Sequence, residues 1–282
     1  MTSLTLITGG TGLVGSHLVQ RLNEQGSEIK VFKGDIRNED VVRKAVEGID
    51  FIYHCAGFIS YQRKDAENLY KINVLGTRNL LNASLELGVK RVVHVSSVSA
   101  LNSEEDYGLS KKFSELECSN AVEKCLDIVV ARPVTVYGAG DKNRNSFYPF
   151  RMIAKSRIVF VPPGGKSYVH VDDLVDGLVL CMEKGKNGET YTFSSEHLLF
   201  SELFSMISES ARPRAILLKI PKFMRFFAHY SRDFNKETIE RFFETEFFDA
   251  DTLELGWKPT RTIREAVKSM CHYYGIADAR RL

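Results

Sequence analysis

A glycine-rich segment close to the start of the chain constrains the fold more than any other feature of the sequence. Residues 8–15 read Thr-Gly-Gly-Thr-Gly-Leu-Val-Gly, and an apolar run, Leu4–Ile7, precedes them. Apolar residues then recur at every fourth position up to Gly26, as on one face of a helix. A strand, a glycine turn and a helix in this order predict a dinucleotide site, because free backbone N–H groups at a helix start bind a pyrophosphate.

Each of the three spaced glycines in this turn has its own expected role. Gly9 is expected to make the tight turn, Gly12 to let a pyrophosphate approach closely, and Gly15 to let the helix pack on the strand. A glycine-rich turn without a ligand is the alternative interpretation. The strand and the amphipathic helix on either side favour the dinucleotide.

Composition limits the class of protein. The 282 residues include 38 basic and 36 acidic side chains, so bulk charge indicates no nucleic-acid-binding surface. The five cysteines show no C-x-x-C spacing and the seven histidines no ligand spacing, so we expect free thiols and no bound metal. We expect no signal peptide before the first predicted strand, and no apolar run is long enough for a transmembrane segment. We therefore expect a cytoplasmic protein.

Strand-like and helix-like segments alternate over the first half of the chain. The predicted strands cover residues 28–32, 51–57, 92–95 and 128–131, and the predicted helices residues 40–47, 66–87 and 107–124. This alternation predicts an α/β Rossmann fold, a doubly wound parallel sheet whose ligands lie beyond the carboxyl ends of the strands.

The regular alternation fades after about residue 138, where prolines and glycines divide the chain into shorter pieces. We expect a dinucleotide-binding domain over residues 1–140 and a smaller, mixed substrate-binding lobe over residues 141–282. Residues 168–192 are expected to pack back on the first domain, as a strand leading into a helix capped by Asp172 or Asp173. A last helix is predicted over residues 261–274.

One tyrosine stands out as a candidate catalytic residue. Among the eleven tyrosines, only Tyr107 has a lysine, Lys111, four residues later, which places both on one helix face. A lysine ammonium and an oxidised nicotinamide would both favour the phenolate, so that a phenol with a pKa of about 10 becomes a useful base. Ser97, at the end of its predicted strand, could hydrogen-bond the same substrate oxygen. An ordinary surface pair is the alternative interpretation.

These motifs together resemble those of the extended short-chain dehydrogenases/reductases, the group that includes NAD-dependent epimerases and dehydratases. The matching segments span about residues 4–180 in the order typical of the group. They are Thr8-Gly9-x-x-Gly12-x-x-Gly15, Gly34-Asp35-Ile36, His54-Cys55-Ala56-Gly57, Asn73-Val74-x-Gly76-Thr77, Ser96-Ser97, Tyr107-x-x-x-Lys111, Arg132-Pro133-x-x-Val136-Tyr137-Gly138 and Tyr168-Val169-His170-Val171-Asp172-Asp173.

The resemblance implies a role for each matching position. Tyr107 would be the acid/base, Ser97 its hydrogen-bonding partner, and Lys111 the group that lowers the tyrosine pKa and binds the nicotinamide ribose. Asn73 would help to order the site, or would satisfy a helix irregularity. Pro133 would border the nicotinamide, and Asp35 and Ile36 the adenine. The predicted contacts to NAD or NADP are Gly9, Thr11, Gly12, Leu13, Val14, Gly15, Asp35, Ile36, Ala56, Gly57, Lys111, Pro133 and Val136.

The chain departs from the group's pattern after its second predicted strand. Counting from the glycine turn puts Lys33 near the position that reads the cofactor's ribose, whereas Gly34–Ile36 marks the same strand as the third of the group. Either a βα unit has been lost or the sequence lacks residues there. Because losing an internal strand would leave a hole beside the first strand, we favour missing residues, and the choice between NAD and NADP stays open.

A second departure is the short connection between Ser97 and Tyr107, which contains nine residues. It is shorter than is usual in the group, where this segment often contributes to a substrate lid. Nine extended residues span up to about 30 Å, so the two side chains can still meet. We expect an intact site with a short or missing lid.

The residues around the site serine favour one branch of the group. Val98-Ser99 replaces the Asp-Glu pair of sugar-nucleotide dehydratases, which argues against dehydration. The segment 95–101 resembles the dihydroflavonol reductase and hydroxysteroid dehydrogenase branch, which acts on apolar carbonyl or alcohol compounds. Lys166 stands near the position where many epimerases use an arginine for the substrate's diphosphate. The prediction is net hydride transfer; a nucleotide-sugar 4-epimerase and a non-catalytic dinucleotide-binding regulator are the alternatives.

The second half is rich in phenylalanine between basic residues, which fits core packing, an apolar substrate site or a membrane-surface helix. The phenylalanines are Phe223, Phe226, Phe227, Phe234, Phe242, Phe243, Phe247 and Phe248. By resemblance to the group we also expect a homodimer, formed by the helices near residues 66–87 and 107–124.

Overall fold

A computed structural model of the chain describes residues 3–102, 105–140, 148–211, 215–222 and 242–277. It forms two compact units, residues 1–133, 171–193 and 250–258 in the first and residues 134–170, 194–249 and 259–282 in the second. The predicted boundary at residue 140 therefore differs from the observed one, since residues 134–140 belong to the second unit and residues 250–258 to the first. Four of the phenylalanines (Phe223, Phe226, Phe227 and Phe234) lie outside the described residues.

The first unit is a parallel sheet between helices. Its strands are β1 (Leu4–Thr8), β2 (Glu28–Val31), β3 (Phe51–His54), β4 (Arg91–Val95), β5 (Ile128–Pro133) and, later in the chain, β9 (Thr190–Phe193). They lie in the order β2-β1-β3-β4-β5-β9 and all pair in parallel. The inner strands are buried along most of their length, as expected when helices cover both faces of a parallel sheet. The predicted doubly wound α/β fold is confirmed.

The helices of the first unit follow the predicted pattern with small shifts of their ends. They are α1 (Leu13–Glu24), α2 (Glu39–Val46), α3 (Ala66–Leu69), α4 (Gly76–Leu87), α5 (Ser99–Asn102), α6 (Asp106–Val122) and α8 (Val171–Lys184). Helix α1 packs with α8, while α2 packs with α4 and α4 with α6. Since α8 begins at Val171, Asp172 and Asp173 lie in its first turn and are not its cap, contrary to expectation. Asp172 instead pairs with His17 of α1, with 2.7 Å between Oδ1 and Nδ1.

The predicted helix over residues 66–87 contains a widened turn. Between α3 and α4, residues Tyr70–Leu75 form a π-helical segment that carries the buried Asn73. Such segments are rare and are often found at functional sites, because the extra residue redirects the side chains of one turn.

Strand β2 takes the place beside β1 that the sequence left uncertain. Its four residues pair with β1 from Leu4↔Glu28 to Ile7↔Val31, and the Phe32 N–H donates to the Ile7 carbonyl at 2.9 Å. In the described residues no strand lies beyond β2 on that side. There is thus no hole beside β1, so the reason given for favouring missing residues does not hold.

The second unit contains β6 (Thr135–Tyr137), α7 (Tyr148–Lys155), β7 (Ile158–Val161), β8 (Gly165–His170), β10 (Glu196–Leu199), α9 (Phe200–Ser210), β11 (Ile216–Lys219), β12 (Thr245–Glu246) and α10 (Ile263–Tyr273). Strand β8 pairs with β6, β10 and β12, and β7 pairs with β11. Helices α7, α9 and α10 contribute apolar side chains to its core. Phe242 packs against Phe200 at 5.5 Å between ring centroids, and the half-exposed Phe247 stacks on His197 at 4.9 Å.

None of the helices in the described ranges combines the length and apolar character that a membrane span requires. In the same ranges, no group of three or more histidine, cysteine or acidic side chains is arranged to hold a metal ion. All five cysteines are free thiols.

Candidate functional site

The glycine turn between β1 and α1 is shaped by contacts that exclude side chains at two of its positions. Gly9 has a φ of +67°, and a Cβ there would lie 2.5 Å from the Cys55 carbonyl group. A Cβ on Gly15 would lie 2.2 Å from the Gly9 oxygen. At Gly12, by contrast, a Cβ would meet only the Gly9 oxygen, at an ordinary 3.4 Å. The fold itself therefore requires glycine at residues 9 and 15, and the glycine at residue 12 needs another explanation.

Helix α1 begins directly after this turn without a side-chain cap. Gly12 occupies the capping position with an extended backbone, and the first turn carries no acidic residue. The first backbone N–H groups, including those of Leu13 and Val14, therefore have no side-chain acceptor. Together with the helix dipole this makes the turn, which also carries the exposed Thr11, a suitable place for an anion. The residues present fit a dinucleotide pyrophosphate.

A chain of buried hydrogen bonds links the end of β1 to the helix behind β3. The Ala56 N–H donates to Thr8 Oγ1 at 3.1 Å, and Thr8 Oγ1 lies 2.7 Å from His54 Nδ1. On the other side of the ring, His54 Nε2 lies 2.9 Å from Thr77 Oγ1, which donates to the Asn73 carbonyl at 2.6 Å. Because Thr77 donates its only proton to that carbonyl, the network assigns the proton of a neutral His54 to Nε2. The resemblance marked His54 and Thr77, but sequence reasoning gave neither a function.

The two buried histidines of this region are held neutral. Burial, together with the nearby Lys111 charge, lowers the pKa of His54 to about 3. Burial and the neighbouring His54 lower the pKa of His94 well below its usual value. The rings lie 5.1 Å apart, and His94 Nε2 is 3.0 Å from Ser114 Oγ. Two neutral imidazoles next to a lysine avoid an accumulation of buried positive charge.

Asn73 ties together three parts of the first unit. Its Oδ1 accepts from the Phe58 N–H at 2.7 Å, and its Nδ2 donates to the Phe58 carbonyl and to Ser110 Oγ, both at 2.9 Å. Ser110 in turn donates to the Tyr107 carbonyl at 2.7 Å. The side chain therefore bonds outside its own helix and joins the loop after β3 to α6. Sequence reasoning did not identify Ser110, although it lies one helical turn after Tyr107.

Lys111 is buried with its ammonium directed at the carboxyl end of β4. Its Nζ donates to the Val95 carbonyl at 3.0 Å, and burial lowers its pKa to about 8. A Cβ on Gly57 would lie 3.3 Å from this Nζ and 3.5 Å from Asn73 Oδ1. Glycine at residue 57 thus leaves room beside the ammonium, whose other protons can bind a ligand.

Tyr107 lies in the first turn of α6, one turn before Lys111 on the same face. Only 6% of the residue is exposed, and its ring meets that of Tyr61 edge to face, with 5.7 Å between centroids. Tyr61 belongs to the loop after β3 and is 44% exposed. Sequence reasoning missed it, because nothing in the sequence indicates that this loop lies against α6.

Ser97 follows β4 by two residues and is half-buried. Its Oγ accepts from the Ser99 N–H at 3.2 Å, which leaves the hydroxyl proton available as a donor. The Val98 N–H donates to the Pro133 carbonyl at 3.1 Å, so the segment that carries Ser97 is fixed to the end of β5. The connection to Tyr107 contains α5 and passes through residues 103–104, outside the described residues.

Asp35 and Ile36 follow β2 and differ strongly in exposure. Ile36 is buried, and a Cβ on Gly76 would lie 2.6 Å from its Cγ2 atom. Asp35 is exposed and forms a forked ion pair with Arg37, with contacts of 2.6 to 3.0 Å. The Arg37 guanidinium holds the pKa of Asp35 at about 2.

Two predicted positions lie in the second unit. Val136 belongs to β6, and Lys166 belongs to β8 and pairs with Glu246 at 2.5 Å between Nζ and Oε2. The remaining predicted residues are carried by the first unit, at the carboxyl ends of its strands and the adjoining helices, as the fold class requires.

A sheet with this strand order and a glycine turn before an uncapped helix together define a Rossmann-type dinucleotide-binding fold. The family model of the NAD-dependent epimerases/dehydratases matches residues 5–193, more than half of the chain. The chain belongs to this family of enzymes, as the sequence motifs predict.

Curated relatives fall in more than one branch of the family. The sterol demethylase protein B of Methylococcus capsulatus is 29% identical over 92% of this chain and 94% of its own length. The putative dihydroflavonol 4-reductase of Synechocystis is 27% identical over 74% of this chain and 72% of its own length. The UDP-glucose 4-epimerase of Vibrio cholerae is 27% identical over 99% of this chain and 98% of its own length. The first alignment runs over 310 positions, so about fifty of them face no residue of this chain. This chain is therefore shorter than that relative over the aligned region.

Solved structures share the whole fold. The UDP-glucose 4-epimerase of Thermotoga maritima, solved with UDP-glucose, superposes with a TM-score of 0.79 over 96% of this chain and 98% of its own. At 21% identity this likeness concerns the fold alone.

Proposed function

We propose that the chain catalyses net hydride transfer between a nicotinamide dinucleotide and a carbonyl or alcohol carbon of an apolar small molecule, with Ser97, Tyr107 and Lys111 as its catalytic residues. The observation that carries this proposal is the buried Lys111 ammonium, 3.0 Å from the Val95 carbonyl and one helical turn from Tyr107. A lysine is buried at a cost in solvation, so its buried place beside Gly57 indicates a function.

The dinucleotide would lie with its pyrophosphate on the turn from Gly9 to Gly15. At Gly12 an added Cβ would meet only the Gly9 oxygen, and the uncapped start of α1 supplies N–H donors. Ala56 and Gly57, after β3, and Pro133, at the end of β5, would border the cofactor on its way across the sheet. When bound, the nicotinamide supplies the hydride acceptor or donor.

The protein side chains would handle the proton. In the oxidative direction, the Tyr107 phenolate accepts the proton of the substrate hydroxyl, and in the reductive direction the phenol returns it to the carbonyl oxygen. Lys111 favours the phenolate through its positive charge, and Ser97 donates a hydrogen bond to the same substrate oxygen. Asn73 orders the site through Phe58 and Ser110, which fixes the start of α6.

The substrate class rests on two observations. Lys166, the candidate cation for a sugar nucleotide's diphosphate, is already paired with Glu246. The Methylococcus relative is named for sterol demethylation, which concerns an apolar compound. The Vibrio relative, a UDP-glucose 4-epimerase of comparable identity, supports the alternative, in which NAD is reduced and reoxidised within one turnover.

The test supplies the enzyme with UDP-glucose and UDP-galactose, with and without added nicotinamide dinucleotide, and with a panel of apolar ketones and alcohols. We expect a change in absorbance at 340 nm with an apolar compound and none with the sugars. Interconversion of the sugars without net absorbance change would contradict the proposal and establish the epimerase.

We further propose a cytoplasmic homodimer. The five free thiols are consistent with a reducing compartment. Helix α6 presents Phe113 and Leu116, 44% and 54% exposed, on its outer side, and the π-helical turn presents Tyr70, 45% exposed. Such apolar side chains on neighbouring helices suit a helix-to-helix interface.

A further inference from the structure

The position beyond the end of β2 determines which dinucleotide a Rossmann fold accepts. An acidic residue there accepts hydrogen bonds from the adenosine ribose of NAD, whereas a basic residue accommodates the 2′-phosphate of NADP. Since β2 pairs directly with β1, the residues that follow Val31 occupy this position. The backbone bond from Phe32 to Ile7 extends the pairing by one residue, and the chain bends only at Gly34.

Lys33 follows Phe32, and the contacts of its neighbours show on which face of the extended chain its side chain lies. The Val31 side chain lies against the glycine turn, since a Cβ on Gly10 would be 2.7 Å from Val31 Cγ1. Alternate residues of an extended chain share a face, so Lys33 follows Val31 onto the side of the turn. Phe32 points the other way, toward Val41 and the core of the first unit. Lys33 is exposed, and within the described residues it has no ion pair.

The nearest acidic candidate is already engaged. Asp35 accepts two hydrogen bonds from Arg37 Nε and one from Nη2, and its Oδ1 also accepts the Arg37 backbone N–H at 3.0 Å. To bind Asp35, the two hydroxyls of a ribose would have to displace the Arg37 guanidinium from its carboxylate. The pair contributes no net charge, so the charge at the end of β2 is that of the Lys33 ammonium.

We propose that Lys33 selects NADP(H) over NAD(H) by binding the 2′-phosphate of the adenosine ribose. This inference rests on the proposed function only in so far as the glycine turn holds a dinucleotide. A single strand end carries both Lys33, in the ribose-reading position, and the Gly34–Ile36 segment. An ammonium has three donors and a full charge, which suits a phosphate dianion and offers little to the two hydroxyls of an unmodified ribose.

The test measures dissociation constants of NADPH and NADH by calorimetry for the wild type, Lys33→Ala, Lys33→Asp and the control Lys30→Ala. Lys30 lies on the same strand but donates to the Ala45 carbonyl on the other side. We expect NADPH to bind at least tenfold more tightly than NADH to the wild type. Lys33→Ala should weaken the binding of NADPH about tenfold and that of NADH less than twofold. Lys33→Asp should reverse the preference between the two dinucleotides, and Lys30→Ala should change neither dissociation constant. The selectivity should also decrease with ionic strength.

Measuring the binding of 2′,5′-ADP and 5′-AMP then tests the adenosine end of the cofactor alone. We expect Lys33→Ala to bind 2′,5′-ADP more weakly than the wild type does. Equal or tighter binding of NADH by the wild type would overturn the assignment of Lys33 while leaving the dinucleotide site intact. Equal losses of affinity for both dinucleotides in Lys33→Ala would also overturn the assignment of Lys33. Failure of both dinucleotides to bind the folded wild type would overturn the proposed function together with this inference.

Discussion

In the proposed mechanism Tyr107 transfers the proton, and Lys111 supplies the positive charge that favours the Tyr107 phenolate. Tyr107→Phe should remove the proton transfer and lower turnover by about 10²- to 10⁴-fold, while cofactor affinity stays within a few-fold. Lys111→Ala should weaken both turnover and cofactor binding, because this lysine is proposed to serve the phenol and the ribose. Steady-state rates and calorimetric dissociation constants provide the measurement.

Tyr61→Phe is the matched control for Tyr107→Phe, since it also removes one phenolic hydroxyl and keeps the edge-to-face contact between the two rings. Its rate should remain within a few-fold of the wild type. A Tyr107→Phe variant that keeps more than a tenth of the wild-type rate would show that another group is the acid/base.

His54 should make folding stability depend on acidity. Its pKa is about 3 in the folded protein and about 6.5 in the unfolded chain, so between these values the unfolded state binds more protons. The part of the stability that depends on a neutral His54 is therefore fully present above about pH 6.5 and is lost as the pH falls from there toward 3, by about 1.4 kcal/mol per pH unit. Urea unfolding at a series of pH values measures this slope.

His54→Gln should reduce the slope and, because the Thr8 and Thr77 hydroxyls lose their partner ring, lower stability at pH 7 by about 2 kcal/mol. An unaltered slope in His54→Gln would contradict the assignment of a neutral buried ring.

At the scale of elements, different glycines of the turn before α1 serve folding and cofactor binding. Gly12→Val should fold with a melting temperature close to that of the wild type, since the added Cβ meets only the Gly9 oxygen at 3.4 Å. It should nevertheless bind no dinucleotide, because its side chain fills the space proposed for the pyrophosphate. Thermal unfolding and calorimetry test both statements.

Gly15→Ala provides the contrast within the same turn. Its Cβ would lie 2.2 Å from a backbone oxygen, so we expect a loss of about 2 kcal/mol or more in unfolding free energy. Unchanged dinucleotide affinity in a folded Gly12→Val variant would remove the cofactor site from this turn.

At the scale of the whole molecule, the outer side of α6 leads to a prediction about assembly. Light scattering at micromolar concentration should show a dimer, and Leu116→Lys should shift it to a monomer by placing a charge in the apolar contact. Leu253→Lys, at a leucine that is 92% exposed, should leave the dimer unchanged. A monomeric wild type would refute the proposed interface.

The sequence by itself determined the order of strands and helices in the first unit and the position of its glycine turn. Both follow from local causes, because hydrophobic periodicity and glycine spacing act within a few residues. The Tyr107–Lys111 pair was predicted for the same reason, since a four-residue spacing on a helix fixes a shared face.

Only the tertiary structure decided which distant residues meet. The hydrogen-bonded chain from Ala56 to Asn73, the contact of Tyr61 with Tyr107 and the bond from Asn73 to Ser110 join segments that are far apart in sequence. The pairing of β2 with β1 likewise decided that a shortened chain leaves no hole. Such contacts depend on how strands are ordered and helices packed, and no local pattern encodes that order.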